Sequence, residues 1–498
     1  MSDTMLPRLS EVNAFFERAT GSFVDGHYAA ATDQVREVLD PSSGAALAKI
    51  CLADMALVDE AVASTKRSFQ HRHWRGLSPA QRERVLLKFA DIIEEHAEEL
   101  AQIETLNQGK SIHISRAVDV GFSVDFVRYM AGWTTKVEGK TTDVSIGMPE
   151  GAKFNAYTLR QPVGVVAGIV PWNFPMMIAL WKVLPALAAG CSVVIKPATE
   201  TPLSVLRLAE LALEAGLPRG VFNVVVGSGS MAGARLASHP DVNKVTFTGS
   251  TEVGKQIGHA AVDHMASFSL ELGGKNPMLV LADADVDAAV EGALMAGLLN
   301  QGQVCAAASR FYVHRDLHDT FCNKLHGAIS QMSIGPGMDP NAQLNPVVSH
   351  RHRQSILSHL QRAEQEGARV LSGPSIPDSE GFYVSPVVLS NVTQKMSAAR
   401  EEIFGPILSV IPFDDVDEAL SMVNDSDLGL AASVWTNNLS EAMRLIPEIE
   451  AGTVWVNTHV TLDASLPFGG VKQSGIGREF GREALEACTT LKSVCIAY

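Results

Sequence analysis

The chain has 498 residues and a formal net charge of −15, from 55 acidic and 40 basic side chains. That length exceeds the ~250–300 residues at which one core stops growing, so two or more domains are expected. The acidic balance argues against nucleic acid as a main partner, and a composition of 46% hydrophobic and 19% charged residues with 40 glycines suits a large α/β enzyme rather than a fibre or a disordered chain.

The opening "MSDTMLPRLSEVNAFFERAT" has early acids and no continuous apolar core, so it does not resemble a secretory signal. Further on, "SPAQRERVLLKFADIIEEHAEELAQIETLNQGK" carries apolar residues at helical spacing after a Ser-Pro start and predicts a long amphipathic helical region. The stretch "TDVSIGMPEGAKFNAYTLRQP" and the terminal "TTLKSVCIAY" fit neither domain and read as strand material able to pair across subunits. Between them, "VGVVAGIV", "CSVVIKP", "VFNVVVG" and "NKVTFTG" are short β-branched runs. They alternate with the helical patterns "MMIALWKVLPALAAG", "PLSVLRLAELALEAG" and "SMAGARLASH", which predicts a parallel sheet covered on both faces. After "LELGGKNPMLVL" a second alternation begins, so a second α/β domain is expected from Gly273. Apolar runs such as "PVGVVAGIVPW" are broken by proline and shorter than the ~20 residues of a spanning helix, and a cytoplasmic protein is expected.

Six cysteines, Cys51, Cys191, Cys305, Cys322, Cys488 and Cys495, are scattered without CxxC pairs. Free thiols are expected, with no disulfides and no metal site. One of them stands apart: Cys305 in "LLNQGQVCAAASR" follows a Gly- and Gln-rich loop, read as exposed, and is flanked by small residues. A thiol there has access to a carbonyl substrate, whose attack creates an oxyanion needing donors. A lone cysteine is otherwise more often a small buried hydrophobe.

Glu271 in "SLELGGKNP" lies between leucines, where desolvation raises a carboxyl towards the range of a general base; an ion-paired or capping glutamate is the other reading. In "VPWNFP" the Asn173 amide is fixed in a rigid turn, which packing alone would equally explain. "VTFTGSTEVGKQIG" follows a strand and opens a helix, so the amides around Ser250 can face an anion such as a dinucleotide pyrophosphate. "VVVGSGSMAG" holds Gly227, Gly229 and Gly233 but misses the GxGxxG spacing by one residue.

Taken in order, "PWNFP", "KPATETP", "FTGST", "LELGGKNP", "GQVCAAASR" and "EEIFGP" closely resemble the aldehyde dehydrogenase superfamily, over nearly the whole chain from "SFVDGHY" to "PFGGVKQSGIGRE". The resemblance implies an α/β fold with two parallel-sheet domains and a β oligomerisation arm. The boundaries expected are an NAD-binding domain over 1–141 and 162–272, a catalytic domain over 273–472, and an arm over 142–161 and 487–498. It implies a tetrameric or dimeric enzyme acting on a small-molecule aldehyde, with a homotetramer, a dimer of dimers, the assembly expected.

By the same resemblance Cys305 attacks the aldehyde, the Asn173 amide and the Cys305 backbone N–H hold the oxyanion, and Glu271 activates water to hydrolyse the thioester. Lys182 and Glu479 match positions that relay protons. For the cofactor, Trp172 and Ser250 match pyrophosphate contacts, Lys196 the adenosine ribose, Glu402 and Phe404 the nicotinamide ribose, and Gly227 and Gly249 close backbone approaches. Thr199 stands where many NAD-preferring relatives carry a glutamate, so NAD is expected with some NADP use.

Positions matching the aldehyde tunnel are Phe174, Met177, Ile178, Trp181, Leu299, Val304, Thr461, Leu462 and Phe468, nearly all apolar. Helical spacing explains Met177, Ile178 and Trp181 as core equally well. No arginine lies in "PWNFPMMIALWK" or "HVTLDASLPF" to pair a semialdehyde carboxylate. Within the superfamily the chain looks most like the phenylacetaldehyde dehydrogenases, and Asp463 is the one feature favouring betaine aldehyde or an aminoaldehyde. Rival readings are a non-catalytic binding protein on this fold and a thiol hydrolase, separated from a dehydrogenase by aldehyde-dependent NADH formation.

Overall fold

The computed structural model describes residues 5–498; the first four residues of the span 1–141 lie outside the described residues. Five parallel, buried strands form the middle of the first sheet, in the spatial order Phe222–Val224, Ser192–Lys196, Val165–Ile169, Lys244–Thr248, Ser267–Glu271. Val165–Ile169 and the run Val193–Ile195 are unbroken apolar stretches, as a sheet covered on both faces requires. The run "VFNVVVG" pairs only over Phe222–Val224, and "SMAGARLASH" begins as a wide π-type turn, Gly229–Gly233, before the short helix Ala234–Ala237.

From Val165–Ile169 the chain winds outward through Ser192–Lys196 and Phe222–Val224, then crosses back to Lys244–Thr248 on the other side. The winding direction reverses between Val165–Ile169 and Lys244–Thr248. At such a switch point the connections leave in opposite directions and open a crevice beyond the carboxyl ends of the strands, where ligands bind in open α/β sheets. Residues 170–173 and 249–250 are the segments that leave those two strands.

The helix Pro175–Ala189 is buried at all 15 of its residues. It starts with proline at its first turn, ends at Gly190 in the left-handed conformation, and is apolar all round except for Lys182, as a fully enclosed helix must be. The long amphipathic region forms two helices, Pro79–Glu95 and Ala97–Gln108. The first opens with a reciprocal capping box between Ser78 and Gln81.

The second sheet has seven strands in the order Arg369–Ser372, Val387–Ser390, Ile407–Phe413, Ala308–His314, Asn276–Val280, Ala431–Trp435, Thr453–Val456; all pairings are parallel except the first. Ser267–Glu271 ends the first sheet and Asn276–Val280 begins the core of the second, so the chain passes from one to the other through 272–275. A separate antiparallel sheet joins Thr489–Ala497, Phe154–Pro162 and Thr141–Thr142 within the chain. No helix among the described residues is long and apolar enough to cross a membrane.

Candidate active site

Two cavities meet at Cys305 and Asn173. The first, about 250 Å³, is walled by Phe174, by Met177, Ile178 and Trp181 of the buried helix that follows it, by Leu299 and Val304 before the cysteine, and by Leu462 and Phe468. The second, about 240 Å³, opens at the switch point and is lined by Trp172, Gly249, Ser250, Glu271, Glu402 and Phe404, with Pro171, Thr248, Gly273 and His352.

The sequence reading placed Cys305 after an exposed loop. The structure corrects this: Asn300, Gln301, Gly302 and Gln303 are all buried. Asn300 and Gln303 go inside because their side chains serve buried backbone. Asn300 Nδ2 donates to Asn173 O at 2.9 Å, Gln303 Nε2 to Asn300 O at 3.0 Å, and Gln303 Oε1 accepts from the Val348 amide at 3.0 Å. Asn300 and Gln301 take consecutive left-handed conformations, φ 47° and 57°, a strained geometry of the kind that clusters at functional sites.

Cys305 lies beside Glu271, whose two carboxylate oxygens are buried and meet no donor at full hydrogen-bond geometry among the described residues. Burial pushes Glu271 up to about 7; the Lys182 charge and the Cys305 thiol pull it down, and Glu479 and Glu402 push it up. A carboxyl in that range exchanges protons near neutral pH. The Cys305 thiol is raised well above the usual thiol range, by burial first and then by the charges of Glu271 and Glu402, with the Ala306 amide opposing. The thiol therefore holds its proton more tightly than a free thiol does, with the Glu271 carboxyl beside it.

Asn173 Nδ2 spends one hydrogen on Gln303 O, at 3.0 Å, and has a second to offer a carbonyl oxygen above Cys305. Behind Glu271, Lys182 pairs with Glu479, away from both cavities.

Glu402 is drawn close because Gly273 has no side chain; a Cβ there would stand 2.1 Å from Glu402 Oε2. The Gly274 amide donates to Glu402 Oε1 at 3.2 Å, and burial pushes this carboxyl up to about 7 as well. Trp172 and Phe404 meet edge to face at 5.3 Å, with Phe404 at φ 57°. Sequence reasoning missed His352, whose ring lies 4.9 Å from Trp172 and whose Nε2 donates to Phe404 O at 2.7 Å. It arrives from the helix His350–Gln365, and nothing local in the sequence marks it.

Lys196, Thr199 and Gly227 lie outside the second cavity, farther along the same carboxyl edge of the sheet. Burial pulls the Lys196 ammonium down to about 8, with Glu200 opposing and Arg36 adding to it. Arg36, from the strand Val35–Leu39, donates to Thr199 Oγ1 at 3.1 Å and to Glu200 Oε1 at 2.9 Å.

Thr461 does not join the first cavity. It is exposed, its hydroxyl is bonded to that of Thr458 at 2.8 Å, and its carbonyl takes the Trp455 indole N–H at 2.9 Å. Val460 lines the cavity instead, at φ 54°, a value rare for a β-branched residue, and it is this twist that turns the neighbouring threonine outward. Asp463 also faces away, capping the Ser465 amide at 2.8 Å. Ala117, Val118 and Phe122, from the π-type turn Ser115–Phe122, complete the wall. They were not anticipated, because they lie in a helical region whose apolar spacing reads as ordinary core.

Among the described residues all six cysteines are free, and no cluster of three or more metal-ligating side chains exists.

The sequence profile of the aldehyde dehydrogenase family matches residues 28–494. A phenylacetaldehyde dehydrogenase from Pseudomonas fluorescens is 47% identical over 471 residues, 94% of each chain. An NAD⁺ complex of an aldehyde dehydrogenase from Bacillus cereus superposes with a TM-score of 0.96 at 40% identity, covering 99% of both chains. A betaine aldehyde dehydrogenase from Staphylococcus aureus, also with NAD⁺, superposes at 0.92 with 36% identity over 96% of each.

Proposed function

The chain belongs to the aldehyde dehydrogenase family and is an oxidoreductase, and on that premise we propose that it oxidises phenylacetaldehyde to phenylacetate with NAD. The observation that carries the substrate is the first cavity: among the described residues no charged side chain lines it, and Cys305 stands in its wall. An apolar cavity on the order of 150 Å³ suffices for benzene. About 250 Å³ leaves room for a phenyl ring and a two-carbon arm reaching the thiol. Burying the ring among Phe174, Met177, Trp181 and Phe468 contributes ~1.5–3 kcal/mol. A semialdehyde carboxylate would find no cation there, and Asp463 is turned away from any cationic substrate.

The second cavity suits the cofactor. It lies at the switch point, and among the described residues the buried Thr248 hydroxyl and both Glu271 oxygens in its wall meet no donor or acceptor at full hydrogen-bond geometry. Ser250 caps the helix Thr251–Val262 and presents that helix N-terminus to a pyrophosphate. Trp172 would join Ser250 at the pyrophosphate, Phe404 and Glu402 would hold the nicotinamide ribose end, and Lys196 with Thr199 the adenosine ribose. Gly227 and Gly249 give the backbone close approach. Bound there, NAD supplies the hydride acceptor.

The chain's own residues do the rest. Glu271 takes the Cys305 proton, and the sulfur adds to the aldehyde carbon. Asn173 Nδ2 and the Cys305 amide hold the oxygen that becomes negative. Once the adduct is oxidised to the thioester and Glu271 has given up the thiol proton, Glu271 takes a proton from water, the resulting hydroxide attacks the acyl carbon, and the carboxylate leaves the sulfur. Lys182 and Glu479 pass the proton on. Within the described residues one edge of Thr489–Ala497 is unpaired, which supports a tetramer whose arm reaches a second subunit.

The test is an aldehyde panel followed by NADH absorbance. Phenylacetaldehyde is expected to give a higher kcat/KM than betaine aldehyde, aminobutyraldehyde or succinic semialdehyde. A win for any of those three overturns the substrate assignment.

A further inference from the structure

The nucleophile turn is held from its carbonyl side. Every carbonyl from Gln303 to Ala307 has a donor. Asn173 Nδ2 takes Gln303 O at 3.0 Å, and the Ala307 amide takes Val304 O at 3.0 Å. Asn276 Nδ2 places its two hydrogens on Cys305 O at 2.7 Å and Ala307 O at 2.9 Å. His459 Nε2 takes Ala306 O, between them, at 2.9 Å.

The chemistry fixes both side chains in one orientation. The other end of the Asn276 amide accepts the Ala431 N–H at 3.0 Å, so the group cannot be reversed. A carbonyl only accepts, so His459 Nε2 carries the proton and Nδ1 accepts from Ser433 Oγ at 2.8 Å. Ser433 Oγ in turn takes the Trp435 indole N–H at 3.2 Å. Burial pulls His459 down to about 4, so the ring stays neutral, and it packs at 4.9 Å from Trp455. Gly274 makes the arrangement possible: a Cβ there would stand 2.5 Å from Asn276 Oδ1 and 2.8 Å from Cys305 O.

In a trans peptide the N–H points opposite to the C=O. Fixing Val304 O and Cys305 O therefore fixes the directions of the Cys305 and Ala306 amides. The Ala306 amide is the group that opposes the rise of the Cys305 thiol. We propose that Asn276 and His459 are positioning residues: Asn276 holds Cys305 O and with it the Ala306 amide turned to the sulfur, while His459 holds Ala306 O and with it the Ala307 amide, whose bond to Val304 O sets the Cys305 amide towards the oxygen of the attacked carbonyl. The inference rests on Cys305 being the nucleophile.

The experiment follows alkylation of the Cys305 peptide by iodoacetamide across pH, by mass spectrometry, beside kcat, KM and a thermal melt. Asn276→Leu keeps the volume, adds no charge and removes both donors. The charged groups facing Cys305, Glu271 and Glu402, stay unchanged. The alkylation midpoint is expected to move to higher pH, with kcat down on the order of tenfold to a hundredfold and KM nearly constant. His459→Gln retains an N–H for Ala306 O and is expected to stay near wild type, whereas His459→Leu loses kcat. An unmoved midpoint in folded Asn276→Leu overturns the proposal. So does a Gln variant as poor as the Leu variant, and this pair decides alone if Asn276→Leu does not fold. Turnover by Cys305→Ala would instead sink the nucleophile assignment, a separate failure.

Discussion

Lys182 and Glu479 are paired inside the protein, with 0% and 7% of their side chains exposed, and their charges act on Glu271 in opposite senses. Lys182 favours the ionised Glu271 and Glu479 disfavours it. Removing one partner of a buried pair costs about 3–5 kcal/mol, so both single variants will melt lower. Their kinetic signatures should diverge. Lys182→Met is expected to move the pH midpoint of thioester hydrolysis above about 7, and Glu479→Gln, which leaves Lys182 to Glu271 alone, below it. Midpoints moving in the same direction would remove the pair from the relay.

Glu271→Gln loses the base that takes the Cys305 proton, so the adduct and the thioester should form more slowly, at a rate set by the free thiolate, and the thioester should then stall at hydrolysis. A burst of NADH followed by slow turnover is expected in rapid-mixing absorbance. In the wild type, hydrolysis should rise with pH through about 7, because below that value Glu271 holds a proton and cannot accept another. The glutamine variant should lose that rise. No burst and no turnover would assign Glu271 to activating Cys305 only.

Cys305→Ala is expected to abolish dehydrogenase and ester-cleaving activity together while keeping cofactor affinity, measured by quenching of tryptophan fluorescence. The substituted side chain loses only a half-buried sulfur, so the melting temperature should hold. Turnover above a trace would mean that another group attacks the carbonyl.

Thr199→Glu should weaken NADP more than NAD, by about tenfold, the ratio given by roughly 1.4 kcal/mol of added repulsion. Arg36 is the group that now neutralises Glu200, so Arg36→Gln should shift the ratio the same way. Dissociation constants for the two cofactors check both. Equal ratios across the three proteins would place Thr199 away from the adenosine ribose.

Local patterns were legible where local physics decides. The buried strands and the Pro175–Ala189 helix follow from apolar runs and their breakers, and the order of motifs along the chain carried the family. What was not legible comes from chain that meets only after folding. His352, Asn276 and His459 reach the site from three separate elements, and Ala117, Val118 and Phe122 from a fourth. Thr461 failed for a backbone reason, the left-handed Val460 beside it, which no periodicity reports. The loop before Cys305 reads as exposed because its side chains are polar; they are buried because they bond the backbone that curls around them.

Cys305 and Asn173 line both cavities, so the thiol is a partition between two chambers rather than the floor of one. Filling the aromatic chamber leaves the sulfur reachable from the other side, and an inhibitor need not resemble the aldehyde. A compound that threads past Cys305 into both chambers competes with aldehyde and cofactor at once, and its inhibition is relieved by raising either.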